Sequence, residues 1–471
     1  IQAQRMGMRV SLVEFSPHAG GMTTGGLSAT DIGYAASVGG IAKEFYAEVA
    51  AHYGTGSGHQ YEPHVAARVL NAFLDRAGIS IRFEEHPVEI VRSGPHNRIT
   101  AILMESGRRF AAACFVDASY EGDLMAMAGV SHTVGREANS LYGETLNGVQ
   151  LASHLTRFES CIDPRLSPSA NLASVAPDTV AVPGSGDQAV QAYCFRLCVT
   201  RVAGNVARLQ RPASFDPARF ELMRRYIVSG TWDALSFIVP LPGQKFDLNS
   251  SGAVSTDNVG LSAAWPRATY AQRQAIFQDH LDYQQGLLWF LSSDSRLPKH
   301  VRDRAREFSP AADEFVATGN WPPQLYVREG RRMISERVMT EAHVRGRTRA
   351  SDSVGLGSYT IDCHPCRRVI VNGCVVNEGV IADRVPGPYR ISYSAITPRA
   401  DECENLLVPV CLSASHVAWG SIRTEPVFMI LGQSAGAAAA IAVRSRTPVQ
   451  QVDYGDLRTH LLAAHQVLDA G

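Results

Sequence analysis

From the amino end, apolar positions fall first at helical and then at strand spacing. Residues 1–7 read as the close of a helix, with Gly7 at its stop position. The run MRVSLV at 8–13 is short, apolar and partly β-branched, which predicts a strand closed by Glu14. A loop rich in glycine and threonine follows over 16–33. Residues 63–77 put Val65, Val69, Leu70, Phe73 and Leu74 on one face behind Pro63, so an amphipathic helix is predicted, ended by Gly78. Strands are predicted at 79–83, 86–92, 98–105 and 109–117, divided by Ser93-Gly94-Pro95 and Ser106-Gly107. Three consecutive hairpin-like strands among them form a β-meander inserted ahead of Phe115-Val116-Asp117.

The pattern changes near residue 150. A strand is predicted at 191–199, a long helix at 267–291, two short helices within 298–317, and strand-like runs at 324–327 and 333–340. Past 360 the α/β alternation returns, with a buried strand at 405–410, a loop at 411–425, a helix from Pro426 past Ala440 and a last helix at 456–468. No internal repeat or low-complexity tract interrupts the chain. The predicted division is 1–149, 150–360 and 361–471, the middle part being a mixed α+β substrate or cap domain.

Composition narrows the class. Over 471 residues, 45% are apolar and 19% charged, which suits a globular enzyme and excludes a disordered chain. Lys plus Arg (44) nearly balances Asp plus Glu (45), so the basic footprint of a nucleic-acid binder is missing. No apolar run approaches the length of a bilayer span; the apolar stretch at 435–442 is short and sits inside a helical pattern. Nine scattered cysteines in a chain of this size do not call for a disulfide framework. The chain opens at Ile1, so its natural start, with any signal peptide, is expected upstream. Both cytoplasmic and exported locations stay open.

Candidate chemistry begins at Glu14. An acidic residue ending the second strand of a dinucleotide-binding βαβ unit accepts both ribose hydroxyls of adenosine. The glycine fingerprint belongs about 20 residues earlier, so the first strand and its glycine loop are expected ahead of residue 1. Taken alone, Glu14 reads rather as a surface glutamate at a strand end. It is followed by Gly20-Gly21-Met22-Thr23-Thr24, where paired glycines let backbone N–H groups approach an anionic or planar ligand. Ala118 and Ser119 are small residues at a strand's carboxyl end, where a parallel sheet admits ligands. Asp123 serves a ligand or caps the next helix. Far along the chain, a small-residue loop leads through Ser415, His416, Arg423 and Glu425 into a helix that opens at Pro426. A helix amino end carries partial positive charge and free N–H donors. Aimed at a flavin's pyrimidine edge, it stabilises the charge gained on reduction by about 0.3–2 kcal/mol, and Arg423 adds to it.

Together Val13-Glu14 with Gly20-Gly21, the segment 118–123, Gly135-Arg136-Glu137, the segment 326–332 and the segment 412–426 resemble the FAD-dependent oxidoreductase family, some members of which are loosely labelled xanthan lyase. The resemblance spans nearly the whole chain in order. It implies a glutathione-reductase-type fold: a discontinuous Rossmann-like FAD-binding domain carrying the β-meander and closed by the C-terminal segment. It implies FAD as cofactor. The cofactor set is Glu14, Gly20, Gly21, Thr23, Thr24, Val88, Ala118, Ser119, Asp123, Ser415, Arg423, Glu425 and Pro426. The implied activity is hydride transfer between flavin and a small polar, carbohydrate-like substrate, with the electron acceptor unspecified.

Such chemistry needs a base beside the flavin and groups that hold substrate. His364 and His416 are the base candidates, each with a loop-orienting role as the alternative. Arg332, with Arg331 and Arg423, offers bidentate recognition, though arginines in such runs are often structural. A polar loop with Lys245, Asp247, Asn249, Ser255, Thr256 and Asp257 either lines a sugar pocket or is solvated. Cys363-His-Pro-Cys366 is a CxxC with no second ligand pair at zinc spacing, so no metal is expected. As a redox dithiol it defines a rival, a flavoprotein dithiol reductase. That rival needs a second nucleotide fingerprint, which Gly54-Thr-Gly56, Gly184-Ser-Gly186 and Gly355-Leu-Gly357 do not provide. A second rival is a non-redox carbohydrate lyase or binding protein on the same fold, but no paired carboxylates suited to glycoside cleavage stand out.

Overall fold

The computed structural model describes residues 1–94, 97–151, 156–167, 170–176, 181–232 and 235–469. Pro95 of the predicted turn lies outside them. Two parallel strand pairs organise the amino and carboxyl ends. Leu12–Val13 pairs with Ile81–Arg82, and Phe115–Val116 pairs with Leu406–Leu407. Parallel neighbours need a crossover, and the helix Pro63–Arg76, opened by its proline, lies in the first one. Val13 packs against a core that holds Phe115, Leu406 and Val408, so the two pairs adjoin. The meander Pro87–Ser93, Arg98–Met104 and Arg109–Ala111 is antiparallel, as its turn signals predict.

The largest core surrounds the helix Glu425–Ser445. At 21 residues it is long and apolar enough to cross a bilayer, which corrects the expectation that no run approaches that length. It is a core helix nonetheless. It packs against Gln2–Arg5, Gly40–Tyr53, the strand Ser353–Gly357 and Tyr454–Ala463. Ala435, Ala437, Ala438 and Ala440 are wholly buried, and their small side chains permit that close packing.

A second core belongs to the middle of the chain. The helix Tyr270–Ser293, started by a capping box at Thr269 and Gln272, lies over a sheet ordered Ile238–Leu241, Lys245–Leu248, Leu197–Thr200, Ser309–Pro310. A disulfide that the sequence did not call for joins Cys161 to Cys374 and ties this region to the hairpin Arg367–Val371, Cys374–Glu378. Its two cysteines are 213 residues apart. Reduction is expected to destabilise the protein by about 2–5 kcal/mol, read as a fall in Tm with dithiothreitol that a Cys161→Ser, Cys374→Ser double variant no longer shows.

Several predicted strands contract. The run at 8–13 pairs only through Leu12–Val13, and 405–410 only through Leu406–Leu407. From 191–199 only Leu197–Thr200 joins a sheet, because the Gln284 side chain bonds both backbone groups of Phe195 in place of a neighbouring strand. Residues 324–327 form no strand, and 333–340 contribute the strand Arg332–Met333 and a single bridge from Met339 to Ala414. Of two helices expected in 298–317, Lys299–Arg306 forms; the remainder is the strand Ser309–Pro310 and a single turn at Val316–Thr318. The predicted loop 411–425 contains the helix His416–Ile422, capped by the Ser415 hydroxyl, which accepts the Ala418 N–H.

Candidate active site

The glycine turn is built by backbone geometry. Gly20 and Gly21 have φ of +103° and +53°, a region that disfavours side chains. A Cβ on Gly21 would lie 2.4 Å from the Tyr120 hydroxyl. That hydroxyl accepts the Met22 N–H at 2.9 Å and donates to Glu425 Oε1 at 2.7 Å. Thr23 Oγ1 donates to Glu425 Oε2 at 2.8 Å. One buried carboxyl therefore joins the glycine turn, the 118–123 segment and the amino end of the Glu425–Ser445 helix, with Pro426 in its first turn. Burial pushes the Glu425 carboxyl up from its ordinary range.

Around this junction, Glu14 caps its strand end and accepts the Ser16 N–H at 2.9 Å. Thr24 Oγ1 donates to the Ala19 carbonyl at 2.6 Å. Ser119 donates to Asp117 at 2.6 Å and accepts the Gly122 N–H. Asp123 pairs with Arg273 and, at 2.7 Å, with Arg331; it does not cap its helix. Ala118 is exposed, and so is Val88 on the meander.

Arg423 and Glu425 are two residues apart, so the same helix junction carries a second cluster. Arg423 binds Asp362 Oδ2 at 2.9 Å and the Tyr326 hydroxyl at 2.9 Å. His364 Nδ1 lies 2.7 Å from Asp257 Oδ2, and its Nε2 lies 3.7 Å from Asp362 Oδ2. Tyr359 donates to Asp31 at 3.1 Å. The His364 ring is 18% and Asp362 28% exposed, whereas Arg328, 3.0 Å from Asp257 Oδ1, is wholly buried. Asp257, an acceptor-only carboxylate, requires a proton on Nδ1, while Nε2 faces Asp362. Burial pushes the Asp257 carboxyl up, but Arg328 and His364 outweigh it and hold it near pH 2, at about 2. A carboxyl lowered on folding stabilises above its unfolded pKa, ordinarily near 3.8, and that contribution is lost as pH falls through about 2. Acid unfolding followed by circular dichroism is expected to lose part of its slope between those values in Asp257→Asn.

A third group is sealed from solvent. His416 Nδ1 lies 2.8 Å from Glu329 Oε2, and both side chains are wholly buried. Its Nε2 is buried without a partner. Arg332 is clamped between Glu137 at 2.7 Å and Glu329 at 2.8 Å, inside an ion network and not facing a cleft. Ser415 donates to Glu144 at 2.5 Å. Cys363 and Cys366 are separate buried thiols; burial pushes Cys366 up to about 12 and Cys363 well up. That suppresses the thiolate a dithiol reductase needs. Elsewhere Glu62, His64 and Glu314 gather at metal-ligand spacing, but the Lys245 ammonium already supplies the cation, 2.7 Å from Glu62 and 2.6 Å from Glu314.

The family described as FAD dependent oxidoreductase matches residues 1–461 of the sequence. The chain belongs to that family. It is an FAD-dependent oxidoreductase with an α/β FAD-binding fold, and its cofactor is FAD. Among curated proteins none matches. The crystal structure of pqsL, a probable FAD-dependent monooxygenase from Pseudomonas aeruginosa, aligns over 99% of this chain and 88% of its own at 11% identity, with a TM-score of 0.31.

The residues of this flavoenzyme fit FAD on two counts. The Thr424 hydroxyl, at the cap of the Glu425–Ser445 helix, is buried and unpartnered, as is His416 Nε2 one helix earlier. Buried polar atoms are normally satisfied, and both lie on the segment that carries the helix amino end. Glu14 adds an acceptor-only carboxylate at the strand end, where an adenosine ribose requires acceptors. Sequence reasoning did not single out Asp31, Tyr326, Tyr359 or Asp362. The one signal available was the position of Asp362, two residues before His364.

Proposed function

We propose that this flavoenzyme oxidises a small, polar, hydroxyl-bearing molecule by hydride transfer, with His364 as the base. The observation that carries this is the His364–Asp257 pair at 2.7 Å, partly open to solvent and joined through Asp362 and Arg423 to the helix junction. Bound FAD supplies the two-electron acceptor. His364 Nε2 takes the substrate hydroxyl proton, and Asp257 stabilises the imidazolium that forms. Asp362, Asp31 and Tyr359 hydrogen-bond the remaining substrate hydroxyls. Glu14 binds the adenosine ribose, with Val88, Ala118, Ser119 and Asp123 around the adenosine half. The Gly20-Gly21 turn with Thr23 and Thr24, and Ser415, Arg423, Glu425 and Pro426, hold the isoalloxazine half. Arg332 and His416 are positioning residues behind this site.

In this reading the flavin domain is discontinuous, made of 1–149 and 361–471, with 150–360 as the cap. The pairing of Phe115–Val116 with Leu406–Leu407 supports that division. Its sheet is Rossmann-like, with Leu12–Val13 as the strand that leads to Glu14. The test is anaerobic mixing of the FAD-loaded protein with a panel of sugars, sugar acids and 2-hydroxy acids. Bleaching of the flavin band by at least one of them is expected. Bleaching by dithiols alone would favour a dithiol reductase instead.

A further inference from the structure

Among the guanidiniums near the site, Arg423, Arg328 and Arg332 each meet a carboxylate within 3.0 Å. Arg368 does not. It is 3% exposed, and among the described residues no carboxylate forms an ion pair with it. Its Nη1 donates to the Ser174 hydroxyl at 2.8 Å, while Nε and Nη2 are buried without partners. Those two nitrogens form one edge of the guanidinium, a fork of parallel N–H donors that matches a planar carboxylate.

Other groups complete the setting. Asn377, the cross-strand partner of Arg368, donates to the Ala253 carbonyl at 2.8 Å and leaves its Oδ1 unpartnered. Tyr283, whose hydroxyl also hydrogen-bonds the Arg368 side chain, donates to the Ser255 carbonyl at 2.7 Å. Both therefore hold the 253–257 loop, where the buried Thr256 hydroxyl is also unpartnered, next to Asp257 of the His364 pair. Burial lowers the pKa of Arg368, with Tyr283 and Asp257 opposing the shift; Asp257 is committed to Arg328 and His364. A buried cation without a carboxylate partner, near unpartnered polar atoms on the loop that carries Asp257, suits an anionic guest.

We propose that Arg368 anchors a carboxylate of the substrate, so that the enzyme acts on a hydroxy acid whose hydroxyl is presented to His364. This rests on the reading of His364–Asp257 as the reacting pair. Asn377 and Thr256 meet the polar atoms beside the carboxylate.

Calorimetric titration of the oxidised, FAD-loaded protein reads binding without turnover. The probes are glycolate, its neutral analogue glycolamide, and inorganic phosphate. Wild type is expected to bind glycolate at least tenfold more tightly than glycolamide or phosphate. Arg368→Gln should abolish that preference. Asn377→Asp should abolish it too, because it keeps the guanidinium and supplies an internal carboxylate, which guards against misfolding of the first variant. A wild type that does not prefer glycolate, a preference retained in either variant, or tighter binding of phosphate would each overturn the proposal. His364→Asn is expected to keep the glycolate preference and lose flavin reduction by substrate. Unchanged reduction in that variant would remove the reacting-pair reading alone.

Discussion

Replacing His364 with asparagine lowers kcat by about 10²–10⁴-fold, while FAD content and thermal stability stay near wild type. The side chain is partly exposed and Asn retains a donor toward Asp257, which lies 2.7 Å from the histidine ring. The loss is therefore chemical and not structural. Steady-state kinetics beside a flavin spectrum check it, and a variant with wild-type kcat would end the role assigned to His364. Asp257→Asn separates positioning from proton transfer. It keeps a hydrogen-bonding side chain beside the ring but removes the charge that orients it and pairs the buried Arg328, so kcat falls less than in His364→Asn, the pH profile of kcat shifts and the midpoint of unfolding drops.

Replacing Arg332 with alanine destabilises the fold by about 3–5 kcal/mol. Arg332 is wholly buried between Glu137 and Glu329 and also donates to the carbonyls of Ala414 and Gly135. Its removal leaves two buried carboxylates without their cation, and Glu329 then keeps only His416 and the Gln191 amide. Lysine does not rescue it, because a single ammonium cannot reproduce the fork. Urea unfolding gives the shift in midpoint; a midpoint within error of wild type would show that the network carries no net stability.

The local elements whose signal is short-range were legible in the chain. Pro63 and the apolar face behind it located the helix Pro63–Arg76, and the turn dipeptides located the meander. Glu14 was placed at a strand end by a six-residue run, although only Leu12–Val13 finds a pairing partner. Where apolar runs failed as strands, a side chain had taken over the backbone bonds, as Gln284 does for Phe195. The helix Gly40–Tyr53 went unread because Gly39, Gly40 and several alanines blur its face.

The candidate site was half legible. Loop position singled out His364 and Arg423. Asp362 lies two residues before His364, and Asp257 stood in the polar loop, but that Asp31 and Asp257 meet the 359–364 segment is set by tertiary packing, and spacing along one chain carries no such information. The same holds for Tyr120, whose hydroxyl bridges the Met22 N–H and Glu425 across 305 residues of sequence. The Cys363–Cys366 pair misled in the opposite sense. Its spacing suggests redox chemistry, yet burial keeps both thiols protonated.

Hydrogen–deuterium exchange with and without FAD is the most direct test that both ends of the chain enclose the cofactor. Added FAD is expected to slow exchange together in 14–24, 118–123 and 415–426, with little change in the helix Tyr270–Ser293. Protection confined to one of those stretches, or absent from all three, would contradict a shared flavin site at the Glu425 junction.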